Sequence, residues 1–88
     1  MIIQIKKFGK FLNSRPAAKE AVLRVKQIIN GSTENLILDF NEVIVLTPSF
    51  ADELINGIKE KYPNKKLKFI NYKKNEAIVN TLKGINAV

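Results

Sequence analysis

Residues 38–54, LDFNEVIVLTPSFADEL, run from an apolar strand through a hydroxyl-bearing turn and into a helix. The strand begins earlier, at NLILDF (35–40), which is too short and too uniformly apolar for a surface position. It therefore belongs in the middle of a sheet, covered on at least one face. Glu42 to Leu46 continues the apolar character and stops at Thr47-Pro48. From there PSFADELINGIKEKYP (48–63) places Phe50, Leu54, Ile55, Ile58 and Tyr62 on one helical stripe, with Pro63-Asn64 as the stop. A turn that follows a strand and opens a helix lies at the carboxyl end of the sheet, where open α/β sheets gather their binding sites.

Working outward, MIIQIKKF (1–8) puts Ile3 and Ile5 at alternate positions, which predicts a strand. Gly9-Lys10 then turns toward Phe11 and Leu12, a short hairpin partner. NSRPAAKEAVLRVKQIIN (13–30) predicts a first helix, capped by Ser14, with Pro16 in its first turn. Its apolar face is Ala18, Ala21, Val22, Val25, Ile28 and Ile29, and its stop is Asn30-Gly31. KLKFINY (66–72) reads as another strand, with Leu67 and Phe69 set against Lys68 and Ile70. NEAIVNTLK (75–83) closes the pattern as a short helix with Ala77, Ile78, Thr81 and Leu82 inward. Strands separated by helices imply right-handed βαβ crossovers. The expected fold is α/β: a small, mainly parallel sheet of about four strands, mixed at its edge, with three helices, all in one domain.

The chain has 88 residues and contains neither cysteine nor histidine. Disulfides, thiolate nucleophiles, Cys-based zinc sites and the commonest general base are thereby excluded. Its formal charge of +7 is unevenly distributed. Residues 31–58 hold five acids and no Lys or Arg, whereas residues 1–30 carry seven basic side chains and residues 59–88 carry eight. Segregation of that kind gives a surface separate positive and negative regions, although lysine also serves simply to keep a small protein soluble. No apolar run approaches the roughly 20 residues of a membrane span, and no secretory signal opens the chain. A cytoplasmic protein with no membrane partner is the expectation.

An Asp near the end of an apolar strand, a short apolar segment and a Ser-containing turn into a helix together resemble the STAS domain of bacterial anti-sigma-factor antagonists. SFADEL (49–54), with NSRPAA (13–18) before it, more closely resembles a short STAS-like bacterial family of unknown function. The likeness runs from about Gly9 to Asn75. In antagonists of that type the turn reads Asp-Ser-Ser-Gly, and a partner that is both kinase and anti-sigma factor phosphorylates the second Ser. The resemblance puts that serine at Ser49. The Asp falls on Thr47, the first Ser on Pro48 and the Gly on Phe50, so the helix entry is bulkier here. A full STAS domain also carries a further strand and helix beyond the third helix. The resemblance thus implies a protein-interaction module in bacterial signalling, a partner-switching regulator with a histidine-kinase-type ATPase as partner.

Each residue of this region has a structural reading beside the functional one. A phosphate on Ser49 would sit at the positive end of a helix dipole, close to Asp52 and Glu53. Ser49 also reads as an ordinary N-cap with Asp52 three residues on, and Thr47 as a cap with Pro48 in the first turn. Asp52 and Glu53 read either as first-turn acids that suit the dipole or, with Thr47, Ser49 and Asn56, as the polar edge of a partner-binding face. Asp39 is placed to bond the turn after its strand. Ser14 is a cap, while Arg15 in a first turn opposes the helix dipole and so needs an acidic partner, either Asp39 or another protein.

The rival reading is nucleic-acid binding. Lys61, Lys65, Lys66, Lys68, Lys73 and Lys74 are interleaved with Tyr62, Phe69 and Tyr72, a composition that suits phosphates and single-stranded bases. Tyr62 and Phe69 nevertheless occupy core positions of their elements. A third class, an enzyme, lacks an activating group for any hydroxyl and has no glycine-rich phosphate loop. The expectation is no catalysis, no cofactor and no metal; Asp39, Asp52 and Glu53 show no ligand spacing.

Overall fold

Leu36 and Leu38 are completely buried while Ile37 and Asp39 between them are half-buried, the alternation of a central strand whose two faces are unequally covered. The computed structural model describes residues 1–29 and 35–88. In chain order they form β1 (Ile2–Gln4), a 3-10 turn (Ile5–Phe8), β2 (Phe11–Leu12), α1 (Arg15–Ile29), β3 (Leu36–Asp39), β4 (Val45–Leu46), α2 (Pro48–Lys61), β5 (Leu67–Ile70) and α3 (Glu76–Gly84). The expected stop of the first helix at Asn30-Gly31 lies outside the described residues.

The α/β architecture with parallel strands is present, and among the described residues there are three helices and five strands, which divide between two sheets. One sheet has the order β1-β3-β5, with Ile3 beside Leu38 and Leu38 beside Phe69. The other is the pair β2-β4, with Phe11 beside Val45 and Leu12 beside Leu46. All three pairings are parallel, so the expected hairpin between the first strand and Phe11-Leu12 does not form. The reason is local. Residues 5–8 coil into a 3-10 turn that buries Ile5 and carries the chain past β1, so that β2 meets β4 instead.

The helices cover one face of the larger sheet. Ile3, Leu36 and Leu38 point into them, whereas Ile2 on the opposite face is 57% exposed. Ala18, Ala21, Val22, Val25 and Ile29 of α1 pack with Phe50, Ala51, Leu54, Ile55 and Ile58 of α2, and Ile78 and Leu82 of α3 complete the core. Burial of each large side chain in this set stabilises the fold by roughly 1.5–3 kcal/mol. Two expected core residues are exposed, Ile28 at 37% and Ala77 near the start of α3, while Tyr62 and Thr81 are only half-buried. The two exposed ones sit next to the correct face, one step around a helix whose other positions already fill the core.

Side chains of α3 and its N-cap also close an edge. Asn75 Nδ2 donates to the carbonyl of Ile44 (3.1 Å) and Thr81 Oγ1 to that of Leu46 (2.9 Å), so the outer edge of β4 is satisfied without another strand.

Candidate functional site

β2 and β4 lie side by side and each feeds directly into a helix, so α1 and α2 begin next to one another at the same edge of the small sheet. Thr47 joins the two starts. Its N–H donates to the Leu12 carbonyl (3.0 Å), and its Oγ1 donates to the same carbonyl (3.4 Å) while accepting from the N–H of Phe50 (3.4 Å). Thr47 is therefore the N-cap of α2, Pro48 occupies the first helical position, and Phe50 is buried beneath the turn. Ser49 is not the cap; it is the second helical residue, and it is exposed.

This placement corrects the reading of the acids. With Thr47 as cap, no acid falls in the first turn, and Asp52 and Glu53 belong to the second. Their partner is Arg15. Its Nη1 lies 3.1 Å from Asp52 Oδ2 and 3.9 Å from Glu53 Oε1. The cation that opposes the dipole of α1 is thus answered from α2 and not by Asp39. Asp52 is held from the other side by Asn56, whose Nδ2 donates to Oδ1 at 2.7 Å. Ser14 caps α1 through an acceptor bond from the N–H of Ala17 (3.2 Å).

Thr47, Ser49, Phe50, Ser14 and Arg15 thus lie at the two helix starts, with Asp52 and Glu53 in the next turn of α2 and Asn56 behind Asp52 in the turn after that. Asp39 does not join them. Its Oδ1 accepts from the N–H of Asn41 and from Asn71 Nδ2, both at 2.9 Å, which ties the turn after β3 to the end of β5. Asn71 and Glu42 both adopt left-handed backbone, with φ of 58° and 66°. Glu42 is fixed there by Lys6, whose Nζ lies 2.6 Å from Oε2. The Lys6 hydrogen bond and charge hold the Glu42 carboxyl below its ordinary value.

Apolar side chains beside the helix starts escaped the sequence reading. Phe11 is 64% exposed, and its register partner Val45 is 38% exposed. The signal was available in the buried Leu12 and Leu46 that follow them, since alternation turns their neighbours outward. Beyond this edge the α1–α2 seam opens into a groove of about 500 Å³ lined by Lys19, Val22, Leu23, Glu53, Gly57, Glu60 and Lys61.

The lysines of the rival reading are spread over different elements. Lys61 ends α2 at that groove, and Lys65 and Lys66 precede β5. Lys68 is exposed on β5, and Lys73 and Lys74 line a surface hollow with Tyr72 before α3. Among the described residues no helix is long and apolar enough to cross a membrane, and no cluster of three or more acids is placed to hold a metal ion.

No curated protein and no solved structure matches the chain. A family model described as a STAS-like domain of unknown function does match, over residues 21–77, from the middle of α1 to the start of α3. With the parallel α/β fold and the capped entry to α2 in place, the chain belongs to the family of STAS-like domains of unknown function.

Proposed function

We propose that the protein is a protein-interaction module whose docking face is the edge where α1 and α2 begin, and that Ser49 switches it. One observation carries the reading: the Thr47 cap spares Ser49 from structural duty and leaves it exposed at the second position of α2. Phe11 and Val45 supply apolar area beside it, while Arg15, Asp52, Glu53 and Asn56 supply a polar rim, the anatomy of a small interface. The partner best suited is a histidine-kinase-type ATPase that both binds the face and modifies it. In that step the Ser49 Oγ forms a bond to the γ-phosphorus of a nucleoside triphosphate and the β,γ-bridging P–O bond breaks. The nucleoside diphosphate leaves, and the hydroxyl proton passes to a base on the partner. A charge of about −1.5 to −2 then appears in the middle of the face and changes its affinity.

The test is calorimetric binding of the chain to such an ATPase from the same cell, for wild type, Ser49→Ala and Ser49→Asp. Wild type and Ser49→Ala are expected to bind alike, and Ser49→Asp at least tenfold more weakly. Equal affinity of all three would remove the switch. Strong, salt-sensitive binding to an oligonucleotide would instead favour the lysine-based alternative.

A further inference from the structure

We propose that Arg15 is the receptor for a phosphate on Ser49, and that modification moves the guanidinium from Asp52 and Glu53 to the phosphate. This inference rests on the switch reading above and names how the switch is read inside the domain.

Ser49 lies three residues before Asp52 and four before Glu53, the spacing that stacks side chains on one face of a helix. The row Ser49, Glu53, Gly57, Lys61 runs along α2, and its last three members line the groove against α1. Ser49 thus extends, at its open end, the row that faces α1. Arg15, at the first position of α1, already reaches the second turn of α2 with Nη1. The same nitrogen serves both carboxylates, so among the described residues Nε and Nη2 keep their donors available. A guanidinium binds phosphate through two parallel N–H bonds, a stronger contact than one nitrogen shared between two carboxylates.

The helix start offers a phosphate the positive end of its dipole but few free donors. Pro48 has no N–H, and the N–H of Phe50 is held by Thr47. A full countercharge for a phosphate on Ser49 has to come from a side chain, and Arg15 is the cation paired to this part of α2. When Arg15 turns to the phosphate, Asp52 and Glu53 lose their counter-ion. The net charge of Arg15, Asp52, Glu53 and position 49 falls from about −1 to about −3. The face then repels an acidic partner surface and attracts a basic one, with no change in backbone.

The experiment installs phosphoserine at position 49 of the full chain by chemical ligation, so that no kinase is needed, and follows the phosphate by 31P NMR as pH is varied. The second ionisation is expected about one unit lower in the phosphorylated wild type than in the phosphorylated Arg15→Gln variant, with Arg15→Lys between them. Arg15→Lys keeps the charge without the paired donors, so its comparison with wild type holds even if Arg15→Gln folds poorly. Coincident titration curves would overturn the role of Arg15, whatever the ATPase assay shows. Separated curves support it even where no kinase partner binds.

Discussion

Arg15 and Asp52 lie 37 residues apart in sequence, and a 3.1 Å contact joins the first residue of α1 to the second turn of α2. Both side chains are substantially exposed, at 52% and 40%, so the pair adds little stability. Arg15→Ala is expected to cost under about 1 kcal/mol in urea unfolding, and the cost should shrink further in high salt. A larger loss would mean that Arg15 is part of the scaffold and not free to exchange partners.

Thr47 and Ser49 are both hydroxyl residues at the start of α2, and their substitution should separate cap from surface. Thr47→Ala removes the acceptor of the Phe50 N–H and the donor to Leu12, and is expected to destabilise by about 1 kcal/mol. Ser49→Ala is expected within about 0.5 kcal/mol of wild type. Thermal or urea unfolding of the two variants decides it, and equal losses would reverse the assignment.

Gly57 sits where α1 and α2 cross. A Cβ there would come 2.8 Å from Val22 Cγ2 and 3.3 Å from Val22 Cγ1. Val22 is buried and β-branched, hence stiff at χ1, so neither methyl can turn away. Overpacking of this kind costs about 1–3 kcal/mol, more than the roughly 1 kcal/mol that alanine gains over glycine in a helix. Gly57→Ala should therefore destabilise, and Val22→Ala in the same chain should recover part of the loss in a double-mutant cycle.

Thr81→Val keeps the shape of the side chain but removes the donor to the Leu46 carbonyl. The lost bond is expected to cost about 1 kcal/mol in denaturant unfolding, and the amide exchange of β4 should accelerate.

Glu42 gives a pH prediction. Its folded carboxyl is held below the ordinary value by the Lys6 hydrogen bond and charge, with a smaller contribution from Lys10. A depressed folded pKa means stability that is present above the unfolded value and lost as pH falls through the folded one. NMR titration of the Glu42 carboxyl should show the depression, and Lys6→Ala should return it toward the usual glutamate range.

The elements and their order follow from local chemistry. Thr47-Pro48 and Ser14 with Pro16 mark helix starts ahead of apolar-periodic runs, because cap hydroxyls and a fixed φ act within one turn. The uniform apolarity of residues 35–40 likewise marks a central strand, since no exposed strand gains from it. Partners distant in the chain were a different matter. Whether Phe11-Leu12 would fold back on β1 or lie along β4 depended on a 3-10 turn that buries Ile5, and an alternating pattern cannot distinguish the two. Arg15 announced a need for an acid, and Asp39 or another protein was the expected source; the packing of α1 on α2 brought Asp52 and Glu53 within reach instead. Sequence determined where the helices start and most of what they bury, because those effects decay within a few bonds, while the choice of Thr47 over Ser49 as cap and the 3-10 turn at residues 5–8 were settled by packing. Tertiary structure alone decided which charges meet, because a salt bridge depends on where two helices begin in space.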